Sequence, residues 1–156
     1  MVEWCAANLT FAEFRQNELA PPLPYAAESF ELLYAFSVFT HLPRELQQAW
    51  TEECYRVLAP GGYLIFSTLG EHYLTLDRLT ESEQQTFAED ELVVLYEGSP
   101  GTSLCSAYHP VEYVRRRMAG DFEVLEQRPA ADDASHDLHL FRKPLATSDG
   151  PAASAR

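Results

Sequence analysis

The sequence is short of positive charge: 11 lysines and arginines stand against 24 acidic residues, giving a net charge of −13. A chain this acidic repels phosphate backbones and anionic bilayers, and its largest basic cluster is only Arg115 to Arg117. That argues against nucleic acid and membrane surfaces as partners. Cysteine is equally scarce. Cys5, Cys54 and Cys105 are scattered, odd in number and never in a CxxC pair, which speaks against a disulfide framework or a zinc knuckle and for a reducing cytoplasm. No apolar run approaches the roughly 18 residues of a membrane span. The start of the chain has no basic and then apolar signal region. Glycine is also late: all seven glycines lie at or after Gly61.

What is present is one well-formed unit between Ser29 and Gly70. Phe30 to Phe36 is an almost unbroken apolar run, as expected of a parallel strand covered on both faces. Pro43 suits a first helical turn, and Leu46, Ala49, Trp50, Cys54, Val57 and Leu58 then recur at helical spacing. Only Glu53 breaks that stripe. Pro60, Gly61 and Gly62 end the helix, and Tyr63 to Thr68 returns as a second apolar strand. Strand, crossover helix and strand imply a right-handed βαβ unit, whose ligands belong just beyond the carboxyl ends of the strands. Those ends are Ala35 to Phe39 and Leu69 to Tyr73.

The flanks are read in the same way. Met1 to Leu9 predicts a short helix, Phe11 to Leu19 a strand, and Pro21, Pro22 and Pro24 an extended connection. Leu74 to Glu91 mixes acidic and apolar residues, with Ser82 to Ala88 as its helical piece. Leu92 to Tyr96 and Ser103 to Tyr108 read as a hairpin that covers the sheet's carboxyl end. Pro110 to Ala119 predicts a helix stopped by Gly120, with Arg115 to Arg117 on a solvated face. Phe122 to Arg128 and Asp137 to Arg142, joined by the polar turn PAADDASH, predict an antiparallel pair. The folded domain spans residues 1–144, and residues 145–156 have the composition of a disordered tail.

With that element order, the words SFELLYAFSVFTHLP and YRVLAPGGYLIFST resemble the fourth strand, its loop and the turn into the fifth strand of the class I S-adenosylmethionine-dependent methyltransferases. The resemblance implies an α/β fold: a partial Rossmann-like doubly wound sheet, mainly parallel, with an antiparallel carboxyl-terminal strand pair. It implies S-adenosylmethionine as cofactor and methyl transfer to a small-molecule or sugar-like acceptor. The sequence departs from the family in one respect. The glycine-rich loop after a first strand, and the acidic residue that ends a second strand and holds the ribose, are not found in it. The chain therefore reads as the carboxyl-terminal part of such a domain, with Phe30 to Phe36 turned from a central strand into an edge that invites self-association.

By the same resemblance Glu18 and Leu19 hold the adenine, while Ala35, Phe36 and Ser37 line the methionine side; a solvated turn and plain strand core are the bland alternatives. His41 faces the acceptor, either as a general base or as a histidine satisfied by backbone. Glu71, His72 and Tyr73 face the same crevice. His136 and His139 point to opposite faces of a strand, so they do not share a metal, and His109 reads as a helix cap. Ser37 with His41 lacks the G-x-S-x-G setting of a hydrolase. Two other readings share these features: a non-catalytic interaction module, and a nicotinamide-dependent oxidoreductase on the same kind of sheet.

Overall fold

The computed structural model describes residues 1–74, 79–130 and 136–146. The PAADDASH turn from 131 to 135, the piece at 75–78 and the tail from 147 onward lie outside the described residues.

The centre of the fold is the βαβ unit. Strand β1 (Phe30–Ala35) leads through a short 3-10 turn at Phe39–His41 into helix α2 (Arg44–Val57), which returns directly into β2 (Leu58–Thr68). Strands β1 and β2 pair in parallel, Leu32 beside Tyr63 and Ala35 beside Phe66. The second strand starts earlier than Tyr63 because Leu58 already pairs with Phe30, and the register then jumps across Ala59–Gly62. Gly61 takes φ +83°, and a Cβ on Gly62 would sit 2.8 Å from the Ala59 carbonyl and 3.1 Å from that of Glu31. Two glycines are what such a kink requires beside a neighbouring backbone.

The four-stranded sheet has the order β1-β2-β6-β5, with β5 at Glu123–Arg128 and β6 at Asp137–Arg142. Strand β6 is antiparallel to both neighbours, so the sheet is mixed and β1 is one of its edges. Before β1, helix α1 (Val2–Asn8) buries no residue. The strand expected over Phe11 to Leu19 does not form; among the described residues no strand stands on the free edge of β1 to receive it, and unpaired backbone gains nothing from the extended state. Residues 19–25 are instead tied to α2. The Trp50 indole donates to the Leu19 carbonyl at 2.9 Å, and the Leu23 amide donates to Glu53 Oε1 at 2.7 Å. Arg56 completes the tie, donating to the Tyr25 carbonyl at 2.9 Å and to Glu53 Oε1 at 2.7 Å. The acid that breaks the apolar stripe of α2 is thus buried for a purpose.

After β2 come α3 (Glu71–Leu74), α4 (Glu81–Ala88) with a reciprocal Thr80–Glu83 capping box, and the antiparallel hairpin β3 (Val93–Leu95) and β4 (Ser106–Tyr108). Helix α5 (Val111–Tyr113) widens into a π turn at Val114–Met118. The core packs α2 and α5 on one face of the sheet through Phe39, Leu64, Phe66, Val114, Met118 and Phe141. The opposite face stays open: Leu32, Tyr34, Phe36, Tyr63, Leu125 and Leu138 are all exposed.

Candidate functional site

The carboxyl ends of β1 and β2 carry the site. As β1 ends, Ser37 turns into the left-handed region at φ 54°, an uncommon conformation for a residue other than glycine. Its amide donates to Ser67 Oγ at 2.9 Å, which stitches the two strand ends together. Ser67 Oγ also meets His136 Nδ1 at 3.1 Å, and the His136 ring lies 5.9 Å from that of Tyr73. On the other side Ser37 Oγ is 3.4 Å from Thr40 Oγ1 and 3.5 Å from His41 Nε2. Burial and the neighbouring His41 lower the pKa of His136, opposed by Asp137.

The hairpin closes over this end. His41 Nδ1 donates to the Cys105 carbonyl at 2.7 Å, and the Gly101 amide donates to the His41 carbonyl at 2.8 Å. Gly101 has φ +72°, and a Cβ there would lie 2.8 Å from Leu19 Cδ1. The hairpin loop therefore touches both the histidine and the amino-terminal segment. Between them lies a cavity of about 400 Å³ whose walls include Asn17, Glu18, Leu19, Ala35, Val38 and Trp50. Its size falls within the range of ligand sites, and its walls are mostly apolar with a carboxylate and an amide at one end.

Glu18, Leu19 and Ala35 are thus brought together around one cavity. Phe36 and Ser37 are not among its walls. Phe36 points to the open face of the sheet, where its ring is 5.8 Å from Tyr34, and Ser37 belongs to the histidine cluster. Alternation along the strand separates them: side chains at 35 and 36 face opposite sides. His109 is a correction. It is not a cap but a fully buried ring whose Nε2 meets Gln47 Oε1 at 3.1 Å, and burial pushes it down to about 3. His136 and His139 do point apart, to Ser67 and Thr68 respectively. Sequence reasoning left out Ser67 and Trp50 as site residues; the alternation of β2 and the stripe of α2 carried no sign of what lay across from them.

A larger cavity of about 650 Å³ lies among α3, α4 and α5, with Glu71, Asp90, Glu112 and Asp137 in its walls. It holds none of the residues expected at the cofactor. Its acidity also suits an aromatic base less well than the apolar cavity beside β1. Among the described residues no group of three or more His, Cys, Asp or Glu is placed to hold a metal ion.

Residues 1–66 match the family model described as a methyltransferase domain. A solved S-adenosylmethionine-dependent methyltransferase from Methanosarcina mazei superposes with a TM-score of 0.62 at 18% identity, over 85% of this chain and 68% of that one. The chain shares the fold of that methyltransferase. Human N-acetylserotonin methyltransferase, solved with S-adenosylmethionine, gives 0.55 at 16% identity over 92% of this chain and 38% of its own. The N-methyltransferase NodS from Bradyrhizobium japonicum, solved with S-adenosylhomocysteine, gives 0.52 at 14% identity over 90% and 59%. The methyltransferase-fold chain thus spans between 38% and 68% of these three. A sequence comparison with curated proteins finds no match.

Proposed function

We propose that the domain to which this chain contributes transfers the methyl group of S-adenosylmethionine to a small-molecule or sugar-like acceptor in a cytoplasmic setting. One observation carries the reading: the cavity between the amino-terminal segment and β1 gathers Glu18, Leu19 and Ala35 at the strand end where a nucleotide-type ligand belongs, in a chain whose first 66 residues match a methyltransferase domain. The lining fits the adenosine half of the cofactor. Glu18 and Asn17 suit the amine edge of the base, Leu19 and Val38 its faces, and Ala35 leaves room beside the strand. Phe36 and Ser37 act at the methionine side through their backbone. The chain's own residues offer no acid for the ribose and no glycine loop before Gly61, so its affinity by itself is low.

The cofactor supplies an activated methyl on a sulfonium. What the protein must do is place the acceptor in line with it and keep water out. The hairpin loop does the second, since Gly101 closes on Leu19 and Cys105 on His41. His41 is satisfied at Nδ1 by the Cys105 carbonyl, and its Nε2 stands 3.5 Å from Ser37 Oγ.

Saturation-transfer NMR with S-adenosylhomocysteine tests the reading. The adenine protons should receive saturation from the wild-type chain and lose it in Val38→Trp, whose ring fills the cavity mouth. Val38 is the better position for the block than Ser37, whose positive φ would add strain to any bulky residue. Equal transfer in a folded Val38→Trp variant would move the cofactor elsewhere.

A further inference from the structure

Where the first turns of α2 meet the π turn that follows α5, there is a separate cavity of about 300 Å³. Its walls are Arg44, Gln48, Tyr113, Arg116, Arg117 and Met118, and none of these lines the cavity beside β1. In a chain with 11 basic residues against 24 acidic ones, three arginines and no carboxylate in one set of walls reverse the local charge. The acids stand behind the walls. Glu91 receives Arg44 at 3.0 Å, and Asp90 and Glu112 receive Arg116 at 3.1 and 3.6 Å. Each pair holds a guanidinium by part of its fork and leaves its other N–H groups for a ligand. Arg117 keeps its whole fork, since it makes no hydrogen bond or ion pair among the described residues.

A buried hydroxyl points to what the cavity takes. Tyr113 is only 3% exposed, yet its hydroxyl has no hydrogen-bond partner among the described residues. Arg44 lies over its ring, 5.1 Å from the centroid. Burial raises the pKa of Tyr113, ahead of the opposing pulls of Arg44 and Arg117 downward and of Glu91 and Glu45 upward, so the phenol keeps its proton. A buried donor without an acceptor, in a wall of guanidinium groups, is a place for an anion's oxygen.

We propose that this cavity binds the phosphate group of a small phosphate monoester, with Arg44, Arg116 and Arg117 on its oxygens and the Tyr113 hydroxyl donating to one of them. The site is independent of the methyl-transfer reading. Three guanidinium groups suit a dianion with three terminal oxygens better than a planar carboxylate with two. Met118 gives the carbon part of the ester an apolar wall. Long polyanions are refused, because Glu45, Asp90, Glu91 and Glu112 stand close by and the chain as a whole carries −13. One phosphate fits where a nucleic-acid backbone does not.

The full chain, labelled with 15N, gives the test through its arginine Nε–H signals, in low salt at about pH 6.5, where a phosphate ester is mostly dianionic. Glycerol 3-phosphate should shift the signals of Arg44, Arg116 and Arg117 together. Arg115, which is turned to Glu112 and Gln127 and lies outside the walls, should stay still. Arg117→Gln should weaken binding roughly tenfold, the loss of one charge-assisted hydrogen bond, and Tyr113→Phe roughly fivefold. Both variants should fold, since the Arg117 side chain is exposed and the Phe ring keeps the packing of Tyr113 while removing only an unpartnered hydroxyl. Arg115→Gln should bind as the wild type does. Lactate, a carboxylate of similar size, and inorganic phosphate, which has no carbon part, should both bind more weakly than the ester. Equal shifts at Arg115, full affinity in Tyr113→Phe and Arg117→Gln, or lactate or inorganic phosphate binding as tightly as glycerol 3-phosphate would overturn the proposal.

Discussion

His109 and His139 are buried as neutral rings, pushed down to about 3 and about 4 by desolvation. In the unfolded chain each returns to an ordinary pKa near about 6.5. Between that value and about 4 the unfolded state takes up protons that the folded state refuses, so stability is complete above about pH 7 and falls as the pH drops. Each ring contributes a slope of up to about 1.4 kcal/mol per pH unit. His136, lowered by burial and by His41, adds in the same direction. Asp137, raised by burial, works in the opposite sense where carboxyls titrate, and Glu53, lowered by its bond to Arg56, adds a further loss there. Urea midpoints at pH 7.5 and 5.0 should differ clearly, and His139→Asn should shrink the difference. Equal midpoints would show that the rings are not held neutral. None of this was legible in advance for His109, whose partner Gln47 sits on α2, a long way off in sequence.

Between α1 and β1 the chain is held by side chains rather than by a ladder. The Glu53 carboxylate serves the Leu23 amide and Arg56 together. Glu53→Ala should leave that amide unpaired and cost roughly 1 to 3 kcal/mol. By hydrogen exchange, amides 12–17 should be unprotected while those of Leu33 to Ala35 are slow, and Leu23 should lose its protection in Glu53→Ala. Slow exchange over 12–17 would restore the missing strand. The contrast marks what sequence could tell. Helix α2 and strands β1, β2, β5 and β6 were readable because their periodicity is set by burial against one another, and Asp137–Arg142 has the expected bounds. FAEFRQNEL reads as a strand on composition, but a strand exists only with a neighbour, and among the described residues none stands beside β1 on that side. The residues proposed to line the cofactor show a related effect: chain position puts Ala35, Phe36 and Ser37 at the carboxyl end of β1, yet only alternation and the turn at Ser37 decide which side each faces.

The molecule as a whole has one face packed and one face bare. Leu32, Tyr34, Phe36 and Tyr63 line that bare side next to the open edge of β1, where backbone groups await a partner. No helix among the described residues is long and apolar enough to cross a membrane. Self-association of the chain is the expected result. Sedimentation velocity should show concentration-dependent dimers or larger species, reduced by Tyr34→Lys, which puts a charge on the bare face without touching the core. A strictly monomeric wild-type chain at all concentrations would contradict this.

The central claim is that the chain holds the adenosine side of a methyltransferase cofactor site between its amino-terminal segment and β1. Protein-observed NMR with increasing S-adenosylhomocysteine tests it most directly. The amides of Leu19, Ala35, Ser37 and Val38 and the Trp50 indole should shift together, with weak affinity. A strong site lacking several hydrogen bonds of about 1 kcal/mol each would fall toward the millimolar range, about 4 kcal/mol of binding free energy. Shifts confined to the acidic cavity of Glu71 and Asp137, or no shifts at any concentration reached, would contradict the account.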